Sequence, residues 1–570
     1  MRASTPYWIM LPGVVFLSCG LAKAVDRPLA RIAVISNPYL TTLPASEIKD
    51  ESGALRDFLA KTGPDSMEKT VALVNSLKPD AFVVLGSLTW SGSNEDLAAF
   101  STYLNQINAP KYTVPGHRDR LSGSLDGYRR VFGKHDAQDS LKTINGVHLG
   151  FTSDLHLDPA AATDRLEKQL TEAGGAKAML LFDEVNRTMG RSMLTPTHEK
   201  FWGLVERHHV AAKFSPTRYG HALGYTNTLP TWTVGSTAWS TRGAVTLIKV
   251  FEDRVEIAEV NDPASTTFSL TIPNPVTTPR MPPVDADPFA CPSFSDDLKQ
   301  QPDFTFAIIS DPQFDRETNR DTLIQKAEAT IRDLNRLNPA FVLVAGDLVN
   351  NNLPEEWELF NRIFAELKPP KHVVPGNHDV LFNYDFIEAS YSTAPEKKPE
   401  YAKIVQQALA DAEQEGFTGP TALYEKYTGT RPRQRIEHGD CAFITVPFLT
   451  MRADPEQIKF LKEQLEQTRE KQHVFVVAHY PSLPAFGNNV QPQLGGTEVI
   501  SLLHEHRVTG YLFGHRHRNG FRMHERTAHV LSDNCGTIHL LHVFPDRVVV
   551  GRKTVGTPLY EKLTIPSPRG

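Results

Sequence analysis

At 570 residues the chain is longer than one hydrophobic core usually supports, which predicts two domains. A composition of 40% hydrophobic and 22% charged residues excludes a fibrous or disordered protein. The formal charge of -6 excludes a general attraction to nucleic acid or an anionic membrane surface, so an anionic ligand must be drawn in locally.

In chain order, the first predicted element is a leader. Arg2 precedes an apolar stretch from Trp8 to Leu17, and Ala22-Lys23-Ala24 follows as a small-x-small cleavage site. That layout predicts a signal peptide over 1–24, too short to span a bilayer, and a secreted or periplasmic product. The rival reading acylates Cys19, but Phe16-Leu17-Ser18 puts Leu one position from the usual lipoprotein pattern. Three cysteines remain, Cys291, Cys441 and Cys535, which allow at most one intramolecular disulfide and no disulfide framework.

Residues 28–272 form the first predicted domain. A proline-rich stretch over 273–302 lacks any apolar period and reads as an extended linker. Residues 303–565 form the second domain, and it repeats the first. Leu247 to Val255 matches Leu540 to Val548, and Val114-Pro115-Gly116 matches Val374-Pro375-Gly376. Ser87 lies thirty residues before His117, as Asp347 does before Asn377. Shared spacing with shared flanks predicts a tandem duplication.

In the second half, short apolar runs bounded by Gly and Pro predict buried strands: Phe304 to Ile309, Phe341 to Ala345, His372 to Val374, Val474 to Ala478 and Tyr511 to Phe513. Amphipathic stretches from Thr322 to Leu337 and from Asp454 to Lys471 predict intervening helices, the latter with Ile458, Leu461 and Leu465 on one face. This alternation predicts an α/β fold with its site at the carboxyl ends of the strands. Each run ends in a polar motif: Asp311-Pro312-Gln313, Gly346-Asp347, Gly376-Asn377-His378-Asp379, Ala478-His479 and Gly514-His515-Arg516-His517. Two carboxylates, two amide oxygens and three imidazoles suit a pair of hard or borderline divalent ions. Gly346, Gly376 and Gly514 are expected to let the backbone turn sharply before Asp347, Asn377 and His515.

This series resembles the calcineurin-like metallophosphoesterases, whose pattern is D-x-H, G-D, G-N-H-D/E, H and G-H-x-H. Gln313 departs from it, and the resulting D-P-Q is similar to the branch called calcineurin-like phosphoesterase domain containing protein. The resemblance implies two tandem domains, each a β-sandwich flanked by helices (α/β/β/α). It implies two divalent metal ions, one held by Asp311, Gln313, Asp347 and His517 and the other by Asp347, Asn377, His479 and His515. A hydroxide activated by both ions would then attack a phosphate ester. His378 resembles the family's leaving-group acid, with Asp379 orienting its ring, and Asn350 matches a position that supports the ligands. The ions expected are manganese, iron, magnesium or zinc, with zinc disfavoured at the Gln313 position because an amide oxygen is a harder donor than imidazole.

The first half replaces nearly every one of these residues. Asn37, Tyr39, Ser87, Arg118, Asp183, Thr217 and Tyr219 stand for Asp311, Gln313, Asp347, His378, His479, His515 and His517, and His117 takes the Asn377 slot. No dinuclear centre is expected there, and its role is either structural or the binding of a ligand or glycan. Phe382 to Tyr427 is an insertion that either lines the substrate pocket or elaborates the surface, and Arg431, Arg433 and Arg435 face either a phosphate or solvent. The leading reading is an exported phosphoesterase, and the alternative is a non-catalytic binding protein derived from one.

Overall fold

The computed structural model describes residues 27–43, 53–120, 124–152, 159–183, 196–216, 222–226, 229–236, 245–262, 265–277, 300–315, 320–380, 398–483, 486, 489–517, 519–554 and 561–569. The signal peptide, most of the linker, Cys291, Thr217, Arg218, Tyr219 and Arg518 lie outside the described residues, as do 381–397 of the insertion.

The predicted elements form close to their expected bounds. Helices Arg320–Leu337 and Pro455–Gln467 bury one apolar stripe each, and Ile458, Leu461 and Leu465 make the stripe of the second. The latter starts at Asp454, whose side chain accepts from the first turn while Gln457 reaches back to the Asp454 backbone. That reciprocal cap fixes the start against fraying. The strands are Phe304–Ile309, Val342–Ala345, Lys371–Val374, His473–Val477 and Gly510–Phe513. No described helix is long and apolar enough to cross a membrane.

These elements build two twelve-stranded sheets with helices on their outer faces. Across the first sheet the order is Lys371–Val374, Val342–Ala345, Phe304–Ile309, Thr537–Val543, Arg547–Thr554, Glu561–Pro566, then Ser265–Pro273, Arg254–Asp262, Val245–Val250, Ala30–Ser36, Ala81–Gly86 and Lys111–Pro115. The order therefore mirrors itself about the junction between the two halves of the chain. The second sheet does the same. It runs Gln434–His438, Cys441–Thr445, His473–Val477, Gly510–Phe513, Thr527–Leu531, Gly520–His524, then Ala222–Thr226, Leu229–Val234, Val210–Pro216, Ala178–Asp183, Val147–Thr152 and Leu141–Ile144.

Alternating strand residues divide the core into layers. Phe306, Ile308, Leu343, Phe443, Phe475 and Leu512 face inward between the sheets, where they meet Val83, Phe151, Phe182 and Trp232 of the first half in one apolar cluster. Ala307, Ile309, Val342 and Val344 face outward onto Trp357, Phe360 and Ile331, and Val474, Val476 and Ala478 face outward onto Leu461, Leu465 and Leu503. Burying a side chain of this size contributes about 1.5–3 kcal/mol, so both faces of each sheet are held strongly.

The junction itself was not legible in the sequence. Ser269, Leu270 and Thr271 pair antiparallel with Thr564, Leu563 and Lys562 in one sheet. Ala222, Leu223 and Gly224 pair with Arg522, Phe521 and Gly520 in the other. Each half thus supplies its strands to sheets that continue into the other half.

Candidate metal centre

The five motifs of the second half meet at the carboxyl ends of their strands. The chain leaves three of these strands through a left-handed backbone conformation, with φ 50° at Asp311, 42° at Gln313, 52° at Asp347, 73° at His515 and 46° at His517. Non-glycine residues adopt such values at a cost of about 1–3 kcal/mol, which surrounding bonds must offset. Those bonds are present: the Asp311 N–H donates to Gly346 O at 3.0 Å and the Gln313 N–H to Asp347 O at 2.9 Å. The three glycines serve different ends. Gly346 has φ 88°, a turn as expected, whereas Gly376 and Gly514 are required by space, because a Cβ would lie 2.1 Å from Asp347 Oδ1 at the first and 2.4 Å from Asp311 Oδ2 at the second.

The predicted ligands fall into two groups that share Asp347. Asp347, His479 and His515 bring one donor atom each within 4.8 Å of one another, and so do Asp311, Asp347 and His517. His479 Nε2 lies 3.1 Å from Asp347 Oδ2 and 3.1 Å from Asn377 Oδ1. The Asn377 oxygen also lies 3.0 Å from His515 Nδ1, and His517 Nε2 lies 3.4 Å from Asp311 Oδ1. Gln313 directs its amide nitrogen to Asp347 Oδ2 at 3.3 Å, so rotation of that amide would present its oxygen instead. His479 is oriented from behind by the Ala345 carbonyl, 2.9 Å from Nδ1, which leaves Nε2 facing the centre. The Tyr480 ring stacks on His515 at 4.0 Å and fixes that ring as well.

The electrostatics suit cations. Burial alone would raise the Asp347 carboxyl, but the imidazoles of His479 and His378 more than offset it and hold it well below the usual carboxylate range. Burial opposes charge on His479, yet Asp347 pushes it up to about 9, while burial and then His479 press His515 down to about 2. Two carboxylates and three imidazoles packed this closely are the donor set of a divalent pair with oxygen and nitrogen ligands. The residues present therefore fit two such ions.

His378 stands beside the ligands, with Nε2 3.9 Å from Asp347 Oδ2. The expected role of Asp379 is corrected by the geometry. Its Oδ1 accepts from the Val349 N–H at 3.0 Å and its Oδ2 from the Gly376 N–H at 2.7 Å, so it ties two strand ends together. The His378 ring is oriented instead by the Asn350 carbonyl, 2.7 Å from Nδ1. A carboxylate next to His in sequence suggests a partner, but the one-turn helix His378–Val380 sends the two side chains to different neighbours.

The three arginines are placed elsewhere, and Arg431 lines a groove with Glu425, Arg433 and Glu456. Arg435 pairs with Glu437 at 3.1 Å, and Arg433 donates to Glu456 O at 3.3 Å while lying over Phe460. Tyr401 of the insertion packs with Leu353, Val405 and Leu423, while Tyr384, Phe386 and Tyr391 lie outside the described residues.

In the first half the described counterparts of Asp311, Asp347 and His378 are linked by hydrogen bonds. Asn37 Oδ1 accepts from the Ser87 N–H at 2.9 Å, and Ser87 Oγ accepts from the Arg118 N–H at 3.2 Å. The Arg118 guanidinium lies 3.3 Å over the Trp90 ring, and Tyr39 meets that ring edge-on. His117 is exposed. The matching of Asp183 to His479 needs correction. Both halves begin this region of the second sheet with a two-residue hairpin, Ile144↔Val147 and His438↔Cys441. Counting from those pairs through Val147↔Ala178 and Cys441↔His473 places Asp183 opposite Ala478. Asp183 instead forms a buried ion pair with Lys213 at 3.0 Å.

The sequence model of the calcineurin-like phosphoesterase family matches residues 304–519, and the second half carries a calcineurin-like phosphoesterase domain. Among solved structures the chain is similar to a dimetal phosphatase from Danio rerio, at 15% identity and TM-score 0.33, covering 47% of this chain and 100% of that one. It is also similar to a purple acid phosphatase from yellow lupin seeds, at 14% identity and TM-score 0.34, covering 57% of this chain and 59% of that one. An anchor protein of the inner membrane complex of Plasmodium matches at 13% identity and TM-score 0.34, covering 46% of this chain and 89% of that one. No curated protein matches the chain.

Proposed function

We propose that the chain is an exported, metal-dependent phosphoesterase whose chemistry takes place in residues 303–565. The observation that carries this reading is Asp347, a buried carboxylate common to two groups of ligands at the strand ends. Asp311, Gln313, Asp347 and His517 would hold one divalent ion, and Asp347, Asn377, His479 and His515 the other. Bound there, manganese, iron, magnesium or zinc would supply Lewis-acid charge for the phosphoryl oxygens and acidify a water as nucleophile.

The protein's own part is positional. Nδ1 of His378 is engaged by the Asn350 carbonyl, so Nε2 is the atom that would deliver a proton to the leaving oxygen. Asp379 holds the strand ends that carry Asp347 and Asn377 in register. Export is supported by Arg2, the apolar stretch from Trp8 to Leu17 and Ala22-Lys23-Ala24. The reading of 28–272 as a metal-free degenerate copy is supported by the mirrored strand order and by the hydrogen bonds that close its site.

The test is metal content and hydrolysis of aryl phosphate monoesters and diesters by the wild type and Asp347→Asn. The wild type is expected to retain metal and turn over at least one ester, with the variant doing neither. A metal-loaded wild type no faster than the variant on every ester would sink the proposal. Sequencing the amino terminus of exported material checks cleavage after Ala24.

A further inference from the structure

Asn350 is held at several points, and one of them has no counterpart in the other half. Its N–H donates to Phe314 O at 3.0 Å, its carbonyl accepts from His378 Nδ1 at 2.7 Å, and its side-chain amide donates to Asp315 Oδ2 at 2.5 Å. The same backbone frame recurs in the first half, where the Trp90 N–H donates to Leu40 O at 3.0 Å and Arg118 Nη1 donates to the Trp90 carbonyl at 3.4 Å. That carbonyl therefore accepts from whatever residue occupies the His378 position, as a property of the fold. The side-chain clamp differs. Thr41 stands where the second half has Asp315, and Trp90 where it has Asn350, and Thr41 Oγ1 turns to the Leu43 N–H at 3.1 Å. Asp315 is 9% exposed, so its carboxylate is largely withdrawn from water, at a cost that a charge-assisted hydrogen bond helps to offset.

We propose that Asp315 is a positioning residue for His378, acting through Asn350. It holds the Asn350 side chain, which fixes the peptide whose carbonyl engages Nδ1 and so keeps Nε2 aimed at the leaving group. This rests on the phosphoesterase reading and sharpens its substrate class. A proton delivered to the leaving oxygen matters for esters of poorly acidic alcohols and little for esters whose leaving group departs as a stable anion. The residue therefore marks the centre as one built for alkyl phosphates.

The experiment compares kcat and KM on p-nitrophenyl phosphate and on a simple alkyl phosphate, using the full-length, metal-loaded protein. Asp315→Ala is expected to lower kcat on the alkyl ester by about ten- to a hundredfold, with KM little changed. The loss on the aryl ester should stay within about threefold. His378→Ala should show the same split, and the double variant no further loss on the alkyl ester. Asp315→Asn, which keeps an oxygen for Asn350 to donate to, should recover most of the alkyl activity. Should Asp315→Ala fail to fold or to keep its metal, Asn350→Ala removes the clamp while leaving the carbonyl, and the same split is expected. Equal losses on both esters, or additive losses in the double variant, overturn the inference while leaving the phosphoesterase reading intact. A metal-loaded wild type inert on both monoesters overturns the inference, and one inert on an aryl phosphate diester as well overturns the phosphoesterase reading too.

Discussion

The two halves differ in their side chains at the centre far more than in their backbone. Asn37 and Tyr39 have φ 41° and 48°, where Asp311 and Gln313 have 50° and 42°, and Gly86 has 78° where Gly346 has 88°. Buried Ser36 donates to the Val234 and Gly235 carbonyls, as Ser310 does to those of Ser532 and Asp533. Asp119 accepts from the Gly116 and Thr89 N–H groups, much as Asp379 accepts from those of Gly376 and Val349. The bends that aim ligands in one half thus stand without those ligands in the other, held by local hydrogen bonds and ring packing. Strain at a candidate site here belongs to the fold, and the side chains decide what the fold is used for.

The sharpest way to break the comparison is to exchange the deciding residue. Asp347→Ser, which installs the first half's residue, should cost both ions by elemental analysis and about a hundred- to a thousandfold in turnover of an aryl phosphate. The reverse exchange, Ser87→Asp, should recruit no metal, since Asn37, Tyr39, Thr217 and Tyr219 still stand at the other positions. Metal bound by that variant would mean that the first half lacks only one donor.

The next effect should be equal in the two halves. A Cβ at Gly376 would sit 2.1 Å from Asp347 Oδ1, and one at Gly116 would sit 2.2 Å from the Ser87 nitrogen. Gly376→Ala and Gly116→Ala should each cost about 2–4 kcal/mol in chemical denaturation, while only the former lowers hydrolysis. Markedly unequal stability losses would show that the matching backbone is under different constraint.

Acid should separate the halves more gently. Burial, reinforced by Arg552, lowers His539 to about 3, and burial followed by His524 holds His529 well below the usual imidazole value. The strand registers place Thr246 and Thr231 at these positions in the first half. Both imidazoles are depressed in the folded protein, so their contribution is complete above about pH 6.5 and declines as the pH falls towards the folded values. By about pH 5 the loss at His539 alone approaches 2 kcal/mol. Hydrogen exchange on acidification should open Thr537–Val543 and Thr527–Leu531 before Val245–Val250 and Leu229–Val234, and His539→Thr should narrow the gap. The smallest change expected follows Gln313→His, which should tighten zinc by about tenfold in chelator competition without abolishing turnover.

Much of the second half could be read from the chain because periodicity reports burial. Ile458, Leu461 and Leu465 marked one buried face correctly, and short apolar runs located the strands that end at Asp311, Asp347 and His479. What stayed hidden depended on direction in space. Asp379 looked like the partner of His378, yet its oxygens serve the backbone of Val349 and Gly376. Asp183 looked like the replacement for His479 because two polar residues followed two apolar runs, and only the hairpin registers reveal the one-residue offset. Tyr480 stacking on His515 and Asp315 reaching Asn350 join residues whose relation no periodic pattern encodes. The pairing of the two halves is equally silent, since edge strands carry no mark of the neighbour they will accept.

That pairing bears on what the first half does for the second. Residues 303–570 alone would carry Glu561–Pro566 and Gly520–His524 as bare edges, each offering unpaired N–H and C=O groups. The second of these begins three residues after His517. A shortened chain would be templated to add a strand from another copy beside its own ligand loop, so self-association would compete with activity. In the full chain the first half occupies both edges, so neither is left to pair with a second copy.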